Sequence, residues 1–205
     1  MASISISGDT SGSITLAAPA VAGTNTLTLP ANTGTIITTA SSGQVIPKAA
    51  LPTGSVLQVV QTAKTDSFTT TSTSYVDITG LSLSITPSSA SSKILVLYNV
   101  NGSTPGDTMH GYLTLIRNST EIFKADTAGS RRSATSVINT ATQQQFTYSA
   151  AYLDSPATTS ATTYKVQALS SNGTSLSINR SARDADLLAY DGRTVSSIIA
   201  LEIAA

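Results

Sequence analysis

The sequence predicts an all-β protein with two parts: a short-stranded oligomeric N-terminal stem (residues 1–53) and a jelly-roll-like antiparallel β-sandwich (residues 54–205). Three observations carry this. Apolar residues recur two apart, as in "SISIS", "SITL" and "LSLSI", which places them on one face of a strand. Gly, Pro and Asn break these runs after about four residues near the N-terminus, and at the longer intervals of a sandwich beyond Ser55. Charged residues make up only 11% of the 205 residues, against roughly 25% in globular proteins, and Ser, Thr, Ala and β-branched aliphatics fill their places.

The stem is read from Gly12–Thr39, "GSITLAAPAVAGTNTLTLPANTGTIITT". Ile14 and Leu16, then Leu27 and Leu29, then Ile36 and Ile37 supply the apolar positions, and Ile4 and Ile6 repeat the alternation upstream. Pro19, Gly23, Pro30 and Gly34 interrupt it, because Pro lacks a ladder donor and Gly accepts turn geometry. Strands this short offer too little apolar surface to offset the ordering of so long a segment. The missing half of the core is therefore expected from other copies of the chain, with Ile14, Leu16, Leu27, Leu29 and Ile36 facing them. "SSGQVIPKAALPTG" then reads as a linker.

Beyond it, strands are predicted at Ser55–Thr62, Tyr75–Thr86, Lys93–Val100, Gly111–Arg117, Glu121–Lys124, Gln144–Leu153, Thr162–Leu169 and Thr194–Ala204, with "SLSI" after an Asn172-Gly173 turn. Lys93–Val100 is apolar on both faces, which reads as a central strand covered on both sides. The closing strand is equally apolar, and a terminus of that kind points to burial at a centre. "DADLLAY" (Asp184–Tyr190) is the one candidate helix.

Composition narrows the function classes. Eleven basic residues balance eleven acidic ones, so no basic field attracts nucleic acid or anionic lipid. Cysteine is absent, which removes disulfides and thiolate metal sites and fits assembly in a reducing cytosol. "MASISISGDT" lacks the features of a signal peptide, and no apolar run approaches membrane-spanning length. The protein is expected to be soluble when made and to leave the cell by lysis.

Catalytic constellations are sparse. His110, in "DTMHGY", is the sole histidine; Asp107 lies nearby, but no nucleophile elbow accompanies them. The two glutamates, Glu121 and Glu202, sit without an obvious carboxylate partner. Asp184, Asp186 and Asp191 could offer oxygens to calcium but lack an EF-hand loop, and interleaved Arg180, Arg183 and Arg193 favour local ion pairing. Neither enzyme activity nor a cofactor or metal is expected. Arg131 and Arg132, the only adjacent basic pair, stand in the longest polar loop and mark a candidate contact with acidic sugar or a neighbouring protein.

The Gly12–Thr39 phrase resembles the N-terminal repeat of bacteriophage tail-fibre and appendage proteins. "LTLIRNSTEIFK" (Leu113–Lys124) and the closing "SSIIALEIAA" are similar to the central hairpin and last strand of the β-sandwich heads in such proteins. The resemblance implies a homotrimeric virion structural protein, bound to other virion proteins through the stem, with an outward adhesion-type head, for which a host surface glycan is a candidate partner through Arg131 and Arg132. A capsid decoration protein is the alternative, told apart by whether shell or tail genes flank this one. A carbohydrate-binding module ranks third, because its usual platform of exposed aromatics would rest on tyrosines without any tryptophan.

Overall fold

The computed structural model describes residues 3–7, 13–17, 51–140, 143–187, 189 and 191–205. Contacts divide the chain into Met1–Val45 and Ile46–Ala205. In the first unit β1 (Ser3–Ser7) and β2 (Ser13–Ala17) pair antiparallel, with Ile4 opposite Leu16 and Ile6 opposite Ile14. The alternation read from sequence thus falls on matched positions of a two-stranded ladder. Leu27, Leu29 and Ile36 lie outside the described residues.

The second unit is built from β3 (Val56–Lys64), β4 (Phe68–Thr70), β5 (Val76–Ile85), β6 (Lys93–Ser103), β7 (Gly111–Arg117), β8 (Thr120–Phe123), β9 (Ser136–Ile138), β10 (Phe146–Asp154), β11 (Thr162–Ser170), β12 (Leu176–Ile178) and β13 (Ser196–Ile203). Every pairing is antiparallel. The pairs nest: β3 with β13, β5 with β11, β6 with β10, β7 with β8. A long hairpin folded over on itself in this way gives one sheet in the order β3-β13-β6-β10 and a second in the order β5-β11-β7-β8. That is the strand order of a jelly roll.

Two short strands extend the frame. β12 takes over the edge of β6 at Gly102 and Ser103, where β13 has ended, and β4 pairs outside it. β9 shares an edge of β7 with β8. The ends of the unit are tied together as well, since Gly54 N–H donates to Ala204 O at 2.8 Å and Ala204 N–H to Ser55 O at 2.9 Å.

The alternating residues of both sheets meet in a single core. Ile94, Val96, Tyr98, Val100, Ile198 and Ala200 come from the first sheet; Leu81, Leu83, Ile85, Leu113, Leu115, Tyr164 and Val166 come from the second. In β5 the alternation slips once. Gly80 adopts φ +82°, a conformation that side-chain-bearing residues rarely take, and this lets both Ile78 and Leu81 turn inward. Elsewhere glycine serves close approach. A Cβ at Gly111 would stand 2.4 Å from Leu176 Cδ1, and one at Gly102 would stand 2.5 Å from Ile138 Cδ1. Each sheet therefore leaves a gap that a large side chain of the other sheet fills.

Three polar networks brace the fold, the first of them joining the two sheets. Arg117 Nη1 on β7 donates to both carboxylate oxygens of Asp154 on β10 at 2.9 and 3.0 Å, and the Tyr164 hydroxyl on β11 donates to the same carboxylate at 2.6 Å. Glu202, fully buried on β13, accepts from Ser88 N–H and Oγ, both at 2.6 Å, and from Gln58 Nε2 at 2.7 Å. Burial pushes the Glu202 carboxyl up, but hydrogen bonds from Ser88, Ser92 and Gln58 outweigh it and hold the group below its usual range. Asn179, at φ +61°, joins Lys64 and Asp66 carbonyls to the Ser196 hydroxyl.

The described residues of the segment expected to be helical, Asp184–Tyr190, form no helix. Asp184 and Asp186 have φ of +48° and +54°, outside the right-handed helical region. The Asp191 carboxylate accepts from Ser181 Oγ and from the amides of Ala185 and Leu187, so a side chain beyond the segment gathers its backbone donors into a turn.

Candidate interaction surfaces

Two surfaces stand out from the polar, hydroxyl-rich remainder. The first is the outer face of the β3-β13-β6-β10 sheet. The registers place Val59, Leu201, Leu95 and Leu153 in one row across all four strands, and Gln61, Ile199, Leu97 and Ala151 in the next. Ala63, Ser197, Asn99 and Ser149 form the third. Val59 and Leu153 are 58% and 55% exposed, and Leu95, Leu97, Ile199 and Leu201 are half-buried. Leu95 and Leu97 were expected under a covering layer; among the described residues β6 is indeed central within its sheet, but its second face meets solvent. A depression of about 450 Å³ sits there, lined by Leu97, Asn99, Ser149, Ala151, Ser197 and Ile199.

The outer face of the other sheet contrasts with it. Lys165 Nζ pairs with Asp77 at 2.8 Å, Gln167 Nε2 donates to Asp77 at 2.7 Å, and Ser82 and Ser84 stand beside them. The two outer faces follow the same period-2 rule, but only the first carries a continuous aliphatic row across its strands.

The second surface is the cluster around β7 and β9. Arg131 and Arg132 lie on the loop joining β8 and β9, closed at its base by Ala125 N–H donating to Ala134 O at 3.1 Å. Arg132 extends over the ring of Tyr112, 6.0 Å from its centroid. Its charge is also felt at Tyr75, whose phenol burial pushes up to about 12, with Glu121 adding to the shift and Arg132 opposing it. The His110 ring also neighbours Tyr112, the ring centroids 6.4 Å apart. Asn139 joins this group, its Nδ2 standing 3.0 Å from His110 Nε2 and donating to Asp107 O at 2.9 Å. The Tyr148 hydroxyl bridges Asn139 N–H and O, each at 3.3 Å. Arg132 and His110 were separate observations in the sequence; the jelly roll brings both to Tyr112 and adds Asn139, which the sequence did not single out. Arg131 remains exposed on the same loop.

The groups considered for catalysis or metal binding make the following contacts. His110 Nε2 faces an amide nitrogen rather than a hydroxyl nucleophile, and Asp107 reaches the cluster through its main-chain carbonyl. Glu121 pairs with Lys124 at 2.5 Å, and Glu202 is enclosed by its serine turn. Asp184 pairs with Arg180 at 2.6 Å and Arg193 at 2.9 Å, and Asp191 with Arg183 at 3.3 Å. The Ser181 hydroxyl, foremost among its partners, holds the Asp191 carboxyl down at about 2. Among the described residues no three His, Cys, Asp or Glu side chains gather as a metal site.

No protein-family model matches this chain, and no curated protein matches it.

Proposed function

We propose that the chain is a non-enzymatic structural protein of a bacteriophage particle, a homotrimeric tail fibre or appendage. Residues 1–53 fix it to other virion proteins, and the jelly roll of residues 54–205 acts as the adhesion head. It is assembled in the host cytoplasm and released by lysis. The observation that carries the reading is the pairing, in one chain, of a nearly uncharged short-stranded N-terminal segment with a β-sandwich. Before Lys48 the only charged residue is Asp9, so a docking surface there buries hydroxyls and aliphatics at small desolvation cost.

The Arg132–Tyr112–His110–Asn139 cluster supports the adhesive role. A guanidinium beside an aromatic face suits an acidic sugar, with the ring stacking on the pyranose and the cation meeting the carboxylate. The acidic and imidazole groups that catalysis would need are engaged in structural contacts, which supports a binding rather than a hydrolytic role.

Particles carrying a chain that lacks Met1–Gly43 should assemble without incorporating it. Particles whose head is exchanged for an unrelated trimeric sandwich should incorporate it and lose host binding. Unchanged infection by head-exchanged particles would turn the reading toward capsid decoration, and incorporation of the head without its N-terminal segment would reverse the polarity.

A further inference from the structure

We propose that the outer face of the β3-β13-β6-β10 sheet is the surface through which copies of this chain join in the head. This deepens the trimeric reading above, which takes its contacts from the stem, by placing a second and separate interface on the jelly roll.

Four observations lead to a copy of the same chain as the occupant. The face is large enough: four strands about 4.8 Å apart and five levels of outward residues about 6.8 Å apart span roughly 19 by 34 Å. Once side chains stand up from that plane, its accessible area approaches the roughly 800 Å² per partner of a stable interface. It is graded as an interface is, with the aliphatic row Val59–Leu201–Leu95–Leu153 giving way to Ser197, Asn99 and Ser149 and then to Asn101 and Thr147.

It is also without charge over its centre. Among the described outward residues Lys93 alone is ionised, at the end of the sheet, and its Nζ is tied to Ser155 Oγ at 2.8 Å. Such a face offers nothing to select an acidic glycan or a basic partner, and two copies of it do not repel one another. Finally, it carries both halves of a fit. Val59 and Leu153 protrude at 58% and 55% exposure, and the 450 Å³ depression beside them is floored by the small side chains of Ser149, Ala151 and Ser197. The ridge of one copy has a seat on the next.

The natural absence of cysteine makes the test direct. In the full-length chain, Ala151→Cys places one thiol in the middle of the face, and Ser82→Cys places one on the polar outer face of the other sheet. A short bis-maleimide should link the Ala151→Cys protein into covalent dimers of the 20.9 kDa chain and leave the Ser82→Cys protein unlinked. Adding Leu95→Lys and Leu201→Lys to Ala151→Cys should cut linking by about tenfold or more, because closure would then desolvate unpaired charges. Both side chains point away from the core, and an unchanged circular dichroism spectrum checks that the sandwich persists.

Equal linking at both faces, or linking that survives the two lysines, would overturn the proposal. A mass that stays multimeric with no linking at position 151 would overturn it too, while leaving the stem-based trimer standing. A monomeric mass would overturn both, and an unreactive thiol at 151 in that monomer would mean that another segment of the same chain covers the face.

Discussion

Replacing Asp154 by alanine should lower the stability of the jelly roll by about 3 kcal/mol and its melting temperature by roughly 6–12 °C. Asp154 is 4% exposed and, on β10 of the first sheet, holds both β7 and β11 of the second. Its loss leaves the Tyr164 hydroxyl buried without its acceptor, in a site where burial and the neighbouring carboxylate already push the phenol far above its usual range. It also leaves the Arg117 guanidinium without its counter-ion. The Arg117 side chain is 28% exposed and recovers part of its hydration, so the lower end of the cost for breaking a buried pair applies. Asp154→Asn, which keeps an acceptor for Tyr164, should lose about half as much. Thermal melts of the three proteins check this; an alanine variant within about 2 °C of the parent would show that the sheets are not joined there.

Gly111→Val should cost about 3 kcal/mol, although valine is a better strand former than glycine. The added Cβ would meet Leu176 Cδ1 at 2.4 Å, Cδ2 at 2.8 Å and Cγ at 3.1 Å, so a rotation of the leucine tip alone does not clear it. Leu176 is 1% exposed and belongs to the core. Leu176→Ala by itself should cost about 2–5 kcal/mol through the cavity it leaves. Combined, the two changes should compensate, the double variant losing about 1–2 kcal/mol less than the two single losses added together. Strict additivity in denaturant unfolding would mean that the two positions do not share this space.

How much of this was legible depended on where the signal lay along the chain. Strands with clean alternation, such as "GLSLSI" and "TTYKVQAL", were readable because burial on one face writes itself into every second residue. β4 and β9 were passed over as polar loops. Their "FTT" and "SVI" are three residues long, and they form because β12 and β7 present free edges to them. The Asp184–Tyr190 segment looked helical by composition, but the competing claim of the Asp191 side chain on nearby amides is invisible to a periodicity argument.

The Arg117–Asp154–Tyr164 cluster was out of reach for a different reason. Its members are 37 and 10 residues apart, and only the nested pairing of the jelly roll brings them together. The tyrosine-centred cluster joins β7 to the loop before β9 and to β9's far end in the same way. Most instructive is β6, where apolar residues on both faces were read as cover on both sides. An apolar outward face looks the same in sequence whether its cover comes from the same chain or from another copy. The fold distinguishes the two faces: the inward residues Ile94, Val96 and Tyr98 are buried in the core, whereas Leu95 and Leu97 on the outer face are only half-buried.

The central claim is that this chain works as an assembly of copies. Light scattering on the intact protein at micromolar concentration tests it most directly. The account predicts a mass three times 20.9 kDa, held on dilution through the micromolar range. A mass of 20.9 kDa under those conditions would contradict it.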